Sequence, residues 1–260
     1  MLGDFKDRAE AGRQLAEAVV RLRLVDPVVL ALPRGGVPVA AEVARALHAP
    51  LDLLIVLKIG APGQPELAVA AIAEGDPPTV VIDEQTSEEV DIDHAYTKRE
   101  ARTQRREIER RCKIYRRGSA RLGVAGKTVI VVDDGIATGT TVRAALKALR
   151  RLRPAKVILA VPVWASDTMY ELSKLADDVV CLSEPGHVDS VRAYYADFHQ
   201  VDDEEVIALF DASRKRHEHE LAAPALQNPE PPLLLPSRSE PIDPPRALVA
   251  TRTAKRKRAP

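Results

Sequence analysis

Residues 129–141, Val-Ile-Val-Val-Asp-Asp-Gly-Ile-Ala-Thr-Gly-Thr-Thr, limit what this chain can fold into more than any other stretch. Four consecutive apolar β-formers predict a buried strand, and residues 142–149 place apolar side chains at helical spacing. The Gly- and Thr-containing turn at 137–141 is therefore the amino end of a helix. Its backbone N–H groups and positive dipole end suit a phosphate. Asp133 and Asp134 stand where the strand leaves the core, and can accept from vicinal sugar hydroxyls or hold a metal through water. Thr138, Thr140 and Thr141 add hydroxyl donors. The plainer alternative is an ordinary strand–loop–helix corner whose threonines cap the helix.

Other segments supply the context such a corner needs. Residues 27–32 form a continuous apolar run of strand length, followed by Pro33-Arg34-Gly35-Gly36 and a helical pattern over 37–47. Residues 51–57 read as a further strand ending at Lys58, and 61–66, punctuated by Pro and Gly, as a loop. Residues 67–72 and 79–82 suit a small strand pair. Strands at 156–163 and 178–182 enclose a helical pattern over 166–175. Continuous apolar runs alternating with helical patterns predict an α/β fold with a mostly parallel sheet flanked by helices. In such sheets ligands bind at the carboxyl ends of the strands, where Arg34, Gly35, Asp133 and Asp134 all fall.

The 129–141 stretch resembles the phosphoribosyl-diphosphate signature of the type I phosphoribosyltransferases: four hydrophobics, two acids and a Thr-Gly loop. Arg34-Gly35-Gly36 looks like the pyrophosphate-binding loop of the purine members. As a whole, residues 27–203 are similar to a group of predicted bacterial phosphoribosyltransferases that share the run Ala-Leu-Pro-Arg-Gly-Gly-Val-Pro-Val-Ala and an extended helical insert. The resemblance implies a phosphoribosyl diphosphate ligand with Mg²⁺ held through the substrate, and transfer of the phosphoribosyl group to a nucleobase-like acceptor with release of pyrophosphate. Ala137, Thr138, Gly139, Thr140 and Thr141 would anchor the 5-phosphate, Asp133 and Asp134 the ribose hydroxyls, and Arg34, Gly35 and Lys58 the pyrophosphate. Loop 61–66 would be the lid that excludes water, and the region after the core a hood over the base. Enzymes for 6-oxopurines carry an acid where this chain has Ala137 and a lysine where it has Trp164, so hypoxanthine and guanine are disfavoured. A regulatory protein that senses phosphoribosyl diphosphate without turnover is the alternative function, and other phosphosugar chemistry on the same scaffold is a third.

The remaining segments are less specific. Residues 5–23 predict an amphipathic packing helix; its Asp7-Arg8 and Gly12-Arg13 pairs could face a site, but the solvated side of a helix is the commoner place for such charges, and they are assigned no chemistry. Residues 85–117 form a charge-rich helical insert, either laid across the core or contributing to a homodimer contact or a shield over the site. Residues 183–203 form a small hood whose Tyr194, Tyr195, Phe198 and His199 make either a satellite core or a base-stacking pocket, with Tyr195 and Trp164 as candidate base contacts. A last short helix is expected to end near Phe210. The folded domain is thus expected over 1–212. Residues 213–260 form a tail expected to be disordered: nine of the twenty prolines lie in 222–260, and it closes on Lys-Arg-Lys-Arg.

Lys plus Arg and Asp plus Glu balance at 38 each, which argues against nucleic acid as a partner outside that basic tail. No apolar stretch approaches the roughly 20 residues of a membrane helix. Cys112 and Cys181 lack metal-ligand spacing and no apolar leader follows the start, so a cytoplasmic protein with free thiols is expected.

Overall fold

The computed structural model describes residues 4–164, 166–185, 190–222 and 248–249. The chain begins with α1 (Arg8–Val20), β1 (Pro27–Ala31), α2 (Gly36–Ala46) and β2 (Leu51–Leu53). It then forms β3 (Val56–Ala61), β4 (Gln64–Ala73) and β5 (Thr79–Ile82), followed by α3 (Glu84–Glu89) and the long α4 (His94–Arg116). The central strand β6 (Thr128–Val132) leads through the 133–139 loop into α5 (Thr140–Arg151), and β7 (Lys156–Val163), α6 (Ser166–Ser173) and β8 (Asp178–Ser183) follow. A 3₁₀ turn (Val191–Tyr194), α7 (Asp203–Ala222) and the two-residue β9 (Leu248–Val249) complete the described elements.

The main sheet runs in the order β2-β1-β6-β7-β8-β9, and every pairing in it is parallel. Alternate residues of the apolar runs serve opposite faces. Val29, Ala31, Ile130, Val132, Ile158 and Ala160 join one core with α1, α2 and α7, while Val28, Leu30, Val129, Val131, Val157 and Leu159 join another with α5 and α6. Both faces are covered, which is why these strands are apolar throughout instead of alternating. Ala31 pairs with Val132, so β1 and β6 end level and their following loops emerge side by side.

Three expectations need correction. The apolar run 51–57 is two strands: β2 joins the main sheet, and after Leu54 and Ile55 the chain enters a separate antiparallel sheet, β3-β4-β5. Burial continues across the break, with Leu53 and Ile55 in one core and Leu54 and Val56 in the other, so hydrophobicity carries no mark of it. The loop expected at 61–66 is a tight hairpin turn, since Ala61 pairs directly with Gln64. Finally, α7 continues past Phe210 to Ala222, and Leu248–Val249 pair with β8, so the region from 213 onward contains ordered elements. Val206, Phe210 and Ser213 are buried along α7, and Arg214 and Arg216 pair with Glu218 and Glu220 one turn on. The rest of the expected tail, 223–247 and 250–260, lies outside the described residues.

The helical insert is fastened at the carboxyl end of α4. Arg116 is buried, with Nε 3.0 Å from Asp52 of β2 and its two terminal nitrogens 2.8 and 2.9 Å from the Glu74 carboxylate beyond β4. It also donates to the Leu53 carbonyl at 2.6 Å. One guanidinium thus ties the insert to both sheets.

Candidate functional site

The site is built where the β1–α2 turn meets the β6–α5 loop. Glycines allow the approach: a Cβ on Gly35 would collide with the Asp134 carboxylate, and one on Gly36 would lie 2.7 Å from the Val132 carbonyl. The two sequence motifs are therefore in contact, and the Pro33–Arg34 peptide bond between strand and glycines is cis.

The 137–141 turn opens on the amino end of α5. Gly139, at φ +71°, occupies the capping position, and no side chain caps the helix. Helix geometry leaves its first N–H groups without intrahelical acceptors. The threonine-capping alternative is thereby overturned. Lys58, Asp133, Thr138, Gly139, Thr140 and Thr141 line a cavity of about 240 Å³ at this point, together with Ala137. Positive helix end, hydroxyls and Lys58 make its floor suited to a phosphate.

Asp133 and Asp134 form the wall beside it. Burial pushes the Asp133 carboxyl well above its ordinary range, the neighbouring Asp134 charge adds to the push, and Lys58 and Arg8 oppose it only partly. Burial also raises Asp134, against the opposing charge and hydrogen bond of Arg8. Two desolvated carboxylates side by side are a receptor for hydroxyl donors or for a cation carried by a ligand.

Asp134 is shared with a second cavity of about 510 Å³, lined by Arg34, Gly35 and the hood residues Ser190, Arg192, Phe198 and His199. The two predicted pyrophosphate cations thus occupy neighbouring cavities: Arg34 lines this one, and Lys58, exposed on β3, lines the other beside Asp133. Arg34 also lies 3.6 Å from Asp203, which accepts from the Tyr115 hydroxyl at 2.6 Å.

Both proposed base contacts are corrected. Trp164 is 0% exposed and packs in the α5–α6 core, so no face of its ring is open to a base. Tyr195 is buried against Phe5 within the hood, and its hydroxyl donates to the Asp134 carbonyl at 2.6 Å. Of the two readings of the hood aromatics, the satellite core describes Tyr195.

Of the two readings of Arg8, solvated helix side or site-facing, the structure overturns the first. Arg8 is buried, and its Nε donates to Asp134 Oδ2 at 2.7 Å. A signal existed: Arg8 falls in line with Ala11, Gly12, Leu15, Ala16 and Val19, the buried stripe of α1. An arginine heading an apolar stripe must find a partner when the helix docks.

The chain is similar to known proteins. The profile of the phosphoribosyl transferase domain family matches residues 1–198. A Mycobacterium tuberculosis protein, provisionally named a phosphoribosyl transferase in each of two strains, is 43% identical over 211 residues, covering 81% of this chain and 47% of the relative. The chain therefore spans about half the length of the curated relatives it matches. The crystal structure of TT1426 from Thermus thermophilus superposes with a TM-score of 0.67 at 43% identity, covering 81% of this chain and 98% of that one.

Proposed function

The chain belongs to the phosphoribosyl transferase domain family, and from that premise we propose that it transfers the phosphoribosyl group of phosphoribosyl diphosphate to a nucleobase-like acceptor, releasing pyrophosphate. The observation that carries this reading is the open amino end of α5 standing beside two desolvated carboxylates in one cavity. A phosphate at the helix end leaves a sugar ring within reach of the carboxylates.

In this reading the backbone of 138–141 and the threonine hydroxyls hold the 5-phosphate, the acids meet the ribose hydroxyls, and Arg34, the Gly35 backbone and Lys58 meet the pyrophosphate. Displacement at C1 develops positive charge on the ribose and negative charge on the leaving group. Positioning and electrostatic stabilisation are then the protein's contribution, with no covalent intermediate required. Among the described residues no three potential metal ligands come together. Mg²⁺ fits the site as part of the substrate complex, where it would neutralise the leaving pyrophosphate, and the carboxylate oxygens of Asp133 and Asp134 beside the cavity suit such a hard cation through water.

Ala137 provides no proton-handling acid in the base region, and Trp164 provides neither a cation nor an open ring. Both features weigh against 6-oxopurines as acceptors. The test is incubation with phosphoribosyl diphosphate, Mg²⁺ and a panel of nucleobases and amines, following pyrophosphate. Release that depends on one acceptor is the expected result. Tight binding of phosphoribosyl diphosphate with no release for any acceptor would replace this proposal with a sensor.

A further inference from the structure

We infer that Asp134 is the anchor of the hood and Arg8 its positioning partner, which narrows the ribose contact from the acid pair to Asp133; this last part rests on the function proposed above.

The two adjacent acids have different surroundings. Asp133 Oδ1 accepts the Asp134 N–H at 2.9 Å, and among the described residues Asp133 has no ion-pair partner. Asp134 is gripped twice from one side. Arg8 donates from Nε to its carboxylate at 2.7 Å, and Tyr195 donates to its carbonyl at 2.6 Å. Both groups belong to a unit formed by the start of the chain and the hood. Phe5 donates its N–H to the Tyr194 carbonyl at 3.0 Å, and Ala196 and Asp197 donate theirs to the carbonyls of Phe5 and Lys6 at 2.8 Å each. Phe5, Tyr195 and Phe198 stack in sequence, with centroids 5.5 and 5.0 Å apart. Arg8 closes the unit: its guanidinium lies 3.7 Å over the Phe198 ring and donates to the His199 carbonyl at 2.7 Å.

One side chain therefore satisfies a carboxylate of the β6–α5 loop, a hood carbonyl and a hood ring together. Arg8 is 6% exposed and the Asp134 side chain 15%, so each has little water available to replace the other. Removing either member strands the other in a poorly solvated place, where a lone charge is strongly disfavoured. The planar fork of arginine is needed as well, because its separate Nε and terminal nitrogen reach the Asp134 carboxylate and the His199 carbonyl while its plane covers the Phe198 ring, a span that a compact lysine ammonium does not match. Arg192, Phe198 and His199 line the larger cavity, so the position of the hood sets the shape of the space beside Gly35.

The test is amide hydrogen exchange on the full unliganded chain, paired with calorimetric titration of phosphoribosyl diphosphate and Mg²⁺. Arg8→Met and Asp134→Ala should each speed exchange in residues 194–201 by about tenfold or more, as expected when a local unit loses its anchor. The double variant should add little to either single one, since the two act through one contact. Arg8→Lys should fall between wild type and Arg8→Met, and serves if the methionine variant misfolds. Asp133→Asn should keep wild-type exchange in the hood and lose ligand binding by at least about a hundredfold. Additive effects of Arg8→Met and Asp134→Ala, or a hood loosened equally by Asp133→Asn, would overturn the anchor. Undiminished affinity in Asp133→Asn would overturn the ribose assignment. Absence of binding by the wild type would overturn the ribose assignment and the proposed function together, and the exchange rates, read without ligand, would still decide the anchor.

Discussion

Gly35 stands so close to Asp134 that a single methyl group on its Cα would occupy the space of the carboxylate. The pyrophosphate-type turn and the acidic loop are therefore one surface, held together by a missing side chain. Gly35→Ala should displace the carboxylate and weaken binding of phosphoribosyl diphosphate, at a stability cost of about 1–3 kcal/mol typical of overpacking. In Gly36→Ala the obstacles are backbone, the Val132 carbonyl at 2.7 Å and the Asp133 Cα at 2.9 Å, which cannot swing aside. That variant should be the less stable of the two in urea denaturation. The reverse order would contradict the contact geometry.

Asp133→Asn should stabilise the unliganded protein at neutral pH while destroying its ligand site. Burial and the Asp134 charge hold the Asp133 carboxyl above its unfolded value. A raised carboxyl favours the folded state most when it is protonated, and that contribution is lost as pH rises through the folded value. At pH 7 the wild type carries the penalty and the amide does not. The gain should be about 1 kcal/mol, the usual scale when a functional site gives up a strained charge. Melting curves should converge for the two proteins toward pH 4, and a variant less stable at every pH would contradict this origin.

Arg116→Ala should cost about 3–5 kcal/mol, because it leaves Asp52 and Glu74 buried without their cation. Burial alone would raise Glu74, but the hydrogen bonds and charge of Arg116 outweigh it and hold the carboxyl below its ordinary value. A depressed carboxyl adds stability above the unfolded value, lost as pH falls through the folded one. The wild type should therefore lose stability as pH drops below about 4.5, and the variant should lose less over that range. Denaturation midpoints at pH 7 and pH 4 measure both effects.

Neither cysteine should react as an ordinary surface thiol. Burial, then the charge and hydrogen bond of Glu74, push Cys112 up to about 12, and burial pushes Cys181 up to about 12. The thiolate is the reactive species, so alkylation by iodoacetamide at pH 8 should be about a hundredfold or more slower than for free cysteine. Rapid labelling of the native protein at either position would show the site to be more open than the packing here.

The β1–α2 turn, the 129–141 corner, the parallel sheet and the helical insert were legible because each is local. Continuous apolar runs report strands covered on two faces, and glycines and threonines at a strand-to-helix junction report a helix end without a side-chain cap. The family resemblance rested on those segments and is matched by the family profile over residues 1–198. Contacts between distant segments left a weaker trace or none. The break after Leu53 is silent because residues 53–56 remain buried while passing between two sheets. Trp164 and Tyr195 read equally well as base contacts or as core, since an aromatic ring serves either purpose until its neighbours are known. Arg8 and Asp134 lie 126 residues apart, and Arg116 meets partners 64 and 42 residues away. Sequence periodicity records which residues face inward, and so decided the fold and the open helix end at residues 137–141. Which buried charge meets which depends on how whole elements dock, and only the tertiary structure decided that.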